Sequence, residues 1–367
     1  MPKRQKEKKM KYALIGCGRI SPNHVAAAKN NNLEIVAFVD IEEKNAWDKI
    51  KKFDLQDTGI HIYTDFCEML ESEKPELVAI ATESGKHAKI ALKCLDYGCN
   101  LIIEKPIALS IADADAIIEK SKKRNAIVCA CHQNRFNKSI QVMHNAVDKE
   151  RFGRLLYGTA HIRWTRDYEY YERANWRGTW EQDGGALMNQ CIHNIDLLRW
   201  MMGDEIDTVF GMTDRLTHPY IEAEDFGVAL IKFKNGSYGI VEGTVDVYPK
   251  NLEETLYIFG DKGTVKAGGQ SVNTIEVWNF SDCLDDPGIV KKECSENPPN
   301  IYGYGHTKLY KNVIAAIHGD EKLLVNAEDG KRALEVVLAI YQSAASGQPV
   351  KLPLTTGSTL DFADRFK

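Results

Sequence analysis

The sequence lacks the features that mark membrane, secreted and nucleic-acid-binding proteins. No apolar run is as long as the roughly 18 residues that span a bilayer. The first eleven residues are mostly basic, but no apolar stretch of a secretory signal follows them. Acidic residues outnumber basic ones, 52 to 47, so nothing in the overall charge attracts nucleic acid or anionic lipid. We therefore expect a cytoplasmic protein that binds small molecules, and neither nucleic acid nor membrane.

Disulfide and zinc patterns are missing as well. The nine cysteines form no Cys-x-x-Cys pair, and most lie in apolar stretches, where cysteine behaves as a small hydrophobic residue. A metal site at Cys129 and Cys131 is the weaker alternative, because no second ligand pair follows at a spacing that zinc sites use. The pattern predicts reduced cysteines and no bound metal.

The first third of the chain alternates short apolar strands with helices. Strands are predicted at 12–16, 34–39, 60–63, 76–82, 100–106 and 126–131, with helices at 19–31, 65–72, 85–97 and 110–124 and a polar helical stretch after residue 40. This alternation is typical of a parallel sheet with helices on both faces. It predicts an α/β, doubly wound Rossmann domain over 11–133, behind a basic tail at 1–10.

A different pattern begins after about residue 153. Residues 154–166 read as extended, 184–202 as a helix, and the turn sequences KNGS (234–237) and GDKG (260–263) separate strand-like segments. The segments VALIKF, YGIVEGTV and TLYIFG look like neighbouring antiparallel strands. Helices are expected at 304–318 and 327–346. The prediction is an α+β domain over 134–354 with a large, mostly antiparallel open sheet, a C-terminal helix packed back on the first domain, and a tail at 355–367.

Two glycines between the first strand and the first helix suggest a dinucleotide site. Gly16 permits a tight turn, and Gly18 lets the backbone approach a pyrophosphate at the helix N-terminus. Ser21 stands where the third glycine of the fingerprint is usual. Asp40 ends the second strand, where a carboxylate can accept hydrogen bonds from both ribose hydroxyls and repel a 2′-phosphate. This favours NAD over NADP; the alternative for Asp40 is a residue that begins a turn.

Two further stretches carry residues suited to proton transfer. Glu104-Lys105-Pro106 ends a predicted parallel strand, at the sheet edge where ligands bind. Behind Gly184-Gly185, Asn189 and His193 are four residues apart and share one helix face. The alternatives are a lysine that is simply the first exposed residue after its strand and a structural histidine.

Together these motifs resemble the glucose–fructose oxidoreductase/inositol dehydrogenase (Gfo/Idh/MocA) family over residues 11–354. The resemblance implies that Lys105 and His193 are the catalytic pair. It implies the following cofactor residues: Gly16, Gly18, Arg19, Ile20, Asp40, Thr82, Ser84, His87, Glu104, Lys105 and Asn134. Many members have aspartate where Asn189 stands, and an asparagine there could orient the histidine but adds no charge.

The segments 164–200, 248–253 and 301–306 resemble a narrower group, the bacterial UDP-2-acetamido-2-deoxyglucuronate (UDP-GlcNAcA) 3-dehydrogenases. That resemblance implies oxidation of the sugar C3 hydroxyl by NAD, a downstream PLP aminotransferase in surface-polysaccharide biosynthesis, and a homodimer or homotetramer. Dehydrogenation of an inositol or another sugar is the first alternative. A non-catalytic NAD-sensing regulator is the second, and the presence of both Lys105 and His193 argues against it.

A substrate with a carboxylate and two phosphates suits the arginines and aromatic residues of 163–177. Strand alternation separates Arg163 from Trp164 and Arg166. The predicted substrate residues are Lys105, Arg163, Arg166, Tyr168, Asn189, Gln190, His193, Tyr304 and His306. Trp176 and Arg177 are expected to contact cofactor, substrate or both. The alternative for this segment is a sheet edge with solvated arginines and packed aromatics.

The expected reaction transfers a hydride to nicotinamide while a base takes the hydroxyl proton. His193 is the predicted base, because its unperturbed pKa lies near neutrality. Lys105 is expected to polarise the oxygen as an ammonium group. The sequence also permits the reverse assignment, since a desolvated lysine can act as a base.

Overall fold

A computed structural model describes residues 9–203, 205–296 and 303–366. Two sheets organise the chain, one parallel and six-stranded, the other mostly antiparallel and eight-stranded. The predicted fold class is therefore confirmed. Of the predicted basic tail, residues 1–8 lie outside the described residues.

The parallel sheet has the order β3-β2-β1-β4-β5-β6. Its strands are β1 (Lys11–Ile15), β2 (Glu34–Val39), β3 (His61–Tyr63), β4 (Leu77–Ile80), β5 (Asn100–Ile103) and β6 (Val128–Ala130). The intervening helices are α1 (Ser21–Asn30), α2 (Glu43–Lys52), α3 (Phe66–Glu73), α4 (His87–Asp96) and α5 (Ile111–Arg124). Residues of β4 are buried on both faces, as expected of a central parallel strand covered by helices.

The second sheet has the order β13-β12-β11-β7-β10-β9-β8-β14. Its strands are β7 (Leu155–Arg163), β8 (Ile206–Asp214), β9 (Phe226–Phe233), β10 (Tyr238–Thr244), β11 (Glu253–Gly260), β12 (Gly263–Gly268), β13 (Thr274–Phe280) and β14 (Val350–Lys351). The remaining helices are α6 (Lys138–Asp148), α7 (Tyr168–Glu172), α8 (Ile192–Met202), α9 (Pro287–Glu293), α10 (Gly305–His318) and α11 (Ala327–Ser346).

One expected strand neighbourhood is wrong. We expected β9, β10 and β11 to be consecutive antiparallel neighbours, but β7 lies between β10 and β11. It pairs in parallel with β10 and antiparallel with β11. The turns at 234–237 and 260–263 join β9 to β10 and β11 to β12, as their sequences predict. No turn signal joins β10 to β11, so local sequence could not show that an earlier strand separates them.

The C-terminal part of the chain joins the two sheets. The helix α11 packs on α5 and β6 from the first sheet and on α8 and β8 from the second. Residues after 355 are predicted to be a tail, but they pack against the folded chain. The Thr359 hydroxyl donates to the Trp180 carbonyl at 2.5 Å, and Phe362 is buried against Trp180 and Tyr341. Burial of these apolar groups accounts for the ordered end.

All nine cysteines are free thiols. Within the part of the chain that the structure describes, none of the helices combines the length and the apolar character needed to cross a membrane.

Candidate active site

A cleft of about 750 Å³ opens at the carboxyl ends of the parallel strands and is closed on its far side by residues of the second sheet and α8. Most of the residues predicted from sequence line it. These are Gly16, Gly18, Arg19, Ile20, Asp40, Thr82, Ser84, Glu104, Lys105, Asn134, Arg166, Trp176, Arg177, Asn189, Gln190 and His193. A crevice at this edge of an open parallel sheet is where such folds bind ligands.

The glycine turn has the geometry that a pyrophosphate needs. Gly16 has a φ of +93°, and a Cβ there would lie 2.5 Å from the Ala81 backbone, so a larger residue cannot replace it. A Cβ on Gly18 would meet nothing within 4 Å, which leaves room for a ligand beside its backbone. Ser21 is buried, and its hydroxyl donates to the Gly18 carbonyl at 2.6 Å. Ser21, at the position of the usual third glycine, thus stabilises the glycine turn by a hydrogen bond.

Asp40 is fixed beside this turn. Its carboxylate accepts hydrogen bonds from the backbone of Cys17 at 2.8 Å and Glu42 at 2.9 Å, and from the Asn45 amide at 3.1 Å. These three bonds orient the carboxylate at the wall of the cleft. An anion in this place fits a ribose diol and disfavours a phosphate ester.

Lys105 is held by Asn189, in the turn that directly precedes α8. Its Nζ donates to the Asn189 carbonyl at 2.7 Å and to the Asn189 side-chain oxygen at 3.3 Å. The Asn189 amide in turn donates to Asp183. Burial lowers the pKa of Lys105 and raises that of Asp183 to about 6. Asn189 therefore orients the lysine, whereas the sequence suggested that it orients His193.

His193 lies on α8, directly after a π-helical turn at Leu187–Cys191. π-turns are rare and concentrate at functional sites. The ring is buried at the cleft wall. Burial, and then the nearby positive charge of Lys105, hold the pKa of His193 well below its usual value, so the ring is neutral and able to accept a proton.

Glu104 anchors a buried network beneath Lys105. Its Oε1 is 3.0 Å from Nε2 of His24 and 3.3 Å from Nε2 of His306. Although burial alone would raise the pKa of Glu104, these two histidines hold it well below its usual value. The buried carboxylate therefore places negative charge beneath the lysine. His306, predicted to close the substrate pocket, instead lies in this supporting layer.

Arginines surround one aromatic ring at the outer end of the cleft. The guanidinium carbons of Arg177, Arg166 and Arg19 lie 4.3, 5.0 and 5.7 Å from the centre of the Tyr170 ring. Among the described residues, no carboxylate pairs with any of these three arginines. Arg173 lines the same depression but pairs with Glu169 at 3.0 Å. Three cations without a protein counter-ion make this end of the cleft suited to an anion.

Comparison with known proteins decides the family. The model for the NAD-binding Rossmann fold of the Gfo/Idh/MocA oxidoreductases matches residues 10–132, and the model for their C-terminal alpha/beta domain matches 144–352. This chain belongs to the Gfo/Idh/MocA oxidoreductase family. The predicted family, the NAD cofactor and the assignment as a dehydrogenase are thereby confirmed.

Similar proteins with solved structures include the WlbA dehydrogenases of Bordetella pertussis and Chromobacterium violaceum, each in complex with NADH and UDP-GlcNAcA. Both are 34% identical to this family member, and each alignment covers 95% of this chain. The alignments cover 99% and 98% of the two WlbA chains, with TM-scores of 0.88 and 0.87. The myo-inositol 2-dehydrogenase of Thermotoga maritima is 24% identical over 95% of this chain and 100% of its own.

Four further predicted residues of this oxidoreductase lie outside the cleft lining. His87 is buried and bonds with the carbonyls of Pro106 and Thr82 at 2.8 and 3.1 Å, so it supports the loops around Lys105. Arg163 faces the other side of its strand and pairs with Glu242 and Glu253. Tyr168 and Tyr304 are about half exposed and lie away from the lining.

Sequence reasoning missed several lining residues. Trp164 and Tyr170 are not among the predicted site residues, yet both line the cleft. Glu254 lies at its base, where burial raises its pKa to about 8 and Asn134 donates to it at 3.1 Å. Asp183 lies behind the lining, bonds with the Asn189 amide and was not predicted either. A carboxylate directly before Gly184-Gly185 was the available signal for that residue.

Proposed function

We propose that this oxidoreductase converts the C3 hydroxyl of UDP-GlcNAcA to a ketone. The three unpaired arginines around Tyr170 are the main support, because a uronate linked to a diphosphate brings several negative charges to that end of the cleft. The 34% identity with dehydrogenases crystallised with NADH and UDP-GlcNAcA supports the same substrate. Aromatic faces at Trp164 and Trp176 suit a sugar ring or a uracil.

In this proposal, bound NAD supplies the hydride acceptor. His193 accepts the hydroxyl proton while the hydride leaves the same carbon, so the alcohol loses two electrons and becomes a ketone. Lys105 donates from Nζ to the substrate oxygen and stabilises the negative charge that develops on it. Asn189 keeps that ammonium in place through its two oxygens.

The test follows NADH absorbance with purified protein, NAD and UDP-GlcNAcA. A PLP aminotransferase with glutamate removes the ketone, which is the step we expect to follow in the pathway. An Arg166→Ala variant should raise KM for UDP-GlcNAcA by about tenfold, the effect of losing one charged hydrogen bond, with little change in KM for NAD. An Arg124→Ala variant, on the exposed face of α5, is the matched control.

Two results would contradict the proposed substrate. Turnover of myo-inositol but not of UDP-GlcNAcA would assign the chain to the inositol dehydrogenases. NAD binding without turnover of any sugar would favour the regulator.

We also infer that the exposed face of the second sheet pairs with a second copy of the chain. Six large apolar side chains on this face are at least 37% exposed: Tyr157, Phe210, Met212, Leu230, Tyr238 and Ile240. A contiguous apolar surface of this kind marks an interface. Light scattering should show a dimer or larger assembly, and Leu230→Asp should weaken it. Ile289→Asp, at an equally exposed site on α9, should not; a monomeric wild type would contradict the inference.

A further inference from the structure

A second histidine lies directly behind His193. His132 follows β6 and is 1% exposed. Its ring is perpendicular to that of His193, with 5.6 Å between the ring centres. On its far side, Nδ1 of His132 is 4.0 Å from a carboxylate oxygen of Asp196. The three side chains form a row from the cleft wall into the core.

The nitrogens of this row are the unusual feature. Nδ1 of His193 and both ring nitrogens of His132 are buried, and none has a hydrogen-bond partner among residues 9–203, 205–296 and 303–366. Buried polar groups in proteins are nearly always paired. An apolar side chain of similar size would fill the place of His132 without this cost. Three such nitrogens in two adjoining rings therefore point to a role in catalysis.

Proton transfer at His193 requires a partner for its Nδ1. If Nε2 faces the cleft and accepts the substrate proton, Nδ1 must already carry a hydrogen, and that N–H needs an acceptor to hold the ring in this tautomer. In Ser-His-Asp catalytic triads, a carboxylate accepts the hydrogen bond from the Nδ1–H of the histidine. Asn189, the side chain on the same helix face, is engaged with Lys105 and Asp183. His132 is the polar side chain in ring contact with His193.

We propose that His132 is the positioning residue for His193. In the catalytic arrangement we propose, the two adjoining rings turn so that Nε2 of His132 accepts a hydrogen bond from Nδ1–H of His193, while the Nδ1–H of His132 faces Asp196. The proton from the substrate hydroxyl goes to Nε2 of His193 and no further. This inference rests on the proposed role of His193 as the base.

Charged groups around the row are compatible with this arrangement. Lys105 and Glu104 face His193 from the cleft side. Asp196, Arg135, Arg199 and Asp329 surround His132. Asp196 also accepts two bonds from Arg135 at 2.7 Å, so it remains ionised and can receive a further hydrogen bond. Burial lowers the pKa of His132, which keeps the ring neutral and leaves one nitrogen free to accept.

The decisive measurement is the tautomer of His193 in protein labelled with ¹⁵N-histidine and bound to NADH. Two-bond ¹H–¹⁵N spectra distinguish the Nδ1–H from the Nε2–H form, and a His193→Gln variant assigns the signals. We expect Nδ1–H in the wild type. His132→Leu should convert it to Nε2–H or to a mixture, while His132→Gln, which keeps an acceptor oxygen, should preserve it. His144→Leu, at a histidine stacked on Trp200, is the matched control.

Kinetics provide a second readout. His132→Leu should lower kcat about tenfold, with KM for NAD unchanged and partial recovery in His132→Gln. This loss is smaller than the roughly 10²–10⁴-fold that a group transferring the proton itself contributes, because His132 acts through His193. An Nε2–H tautomer in the wild type, or an unchanged tautomer in His132→Leu, would overturn the proposal. The spectra do not depend on turnover, so failure of UDP-GlcNAcA as substrate is distinguished from failure of this inference.

Discussion

A Lys105→Met variant is expected to lose about 10³-fold in kcat and to keep its affinity for NAD. Methionine retains most of the length and the apolar stem of lysine but cannot donate a hydrogen bond to the substrate oxygen. The lysine is partly buried, so water replaces its charge only in part. Its Nζ bonds only to oxygens of Asn189 among the described residues, so the rest of the cofactor wall should remain intact.

Stopped-flow or steady-state NADH formation measures the first effect, and calorimetric titration with NAD measures the second. Lys123→Met, on the exposed face of α5, is the control for a lysine-to-methionine change. Retention of more than a tenth of the wild-type kcat would remove Lys105 from the catalytic residues. A parallel loss of NAD affinity would show that it holds the cofactor instead.

The Asp196→Ala variant should lower the free energy of unfolding by about 3–5 kcal/mol, the cost of removing one partner from a buried ion pair. Asp196 receives both arms of Arg135 at 2.7 Å and one bond from Arg199 at 3.1 Å. All three side chains are at most 2% exposed. The alanine would remove the carboxylate that both buried guanidinium groups bind, although each also bonds with Asp329.

Denaturant unfolding measures the free energy of unfolding of Asp196→Ala, and Asp148→Ala is the control variant. Asp148 forms an exposed pair with His144 one helical turn away, and its loss should cost less than about 1 kcal/mol. Burial alone would raise the pKa of Asp196, but Arg135 holds it below its usual value. The stabilisation is therefore present at neutral pH and is lost as pH falls and the carboxylate is protonated. Equal stability of Asp196→Ala and wild type would contradict the prediction.

The fold and the cofactor half of the site could be predicted from the sequence because their signals are local. Gly16, Gly18 and Asp40 lie at the ends of apolar strands, and the alternation of strands and helices places those ends at one edge of a parallel sheet. The same reasoning failed for β7, whose neighbours are more than 70 residues away in the chain.

The substrate half was harder to predict because its geometry depends on a helix that the sequence did not reveal. For residues 164–171 the prediction depended on residue type alone, and it placed Tyr168, not Tyr170, in the site. Asp167 caps a five-residue helix through the Tyr170 backbone amide. Helical rotation turns Tyr170 into the cleft and Tyr168 toward Tyr220. Asn189 lines the cleft as predicted, but its oxygens accept hydrogen bonds from Lys105, which comes from the other domain.

The segment that carries two of the three arginines around Tyr170 is separate from the residues that carry out the oxidation. Residues 164–177 leave the sheet after β7, while Lys105 and His193 are fixed by β5 and α8. Exchanging that single stretch could change which alcohol is accepted without disturbing the chemistry. Changes confined to fourteen consecutive codons would therefore replace two of the three arginines and leave Lys105 and His193 in place.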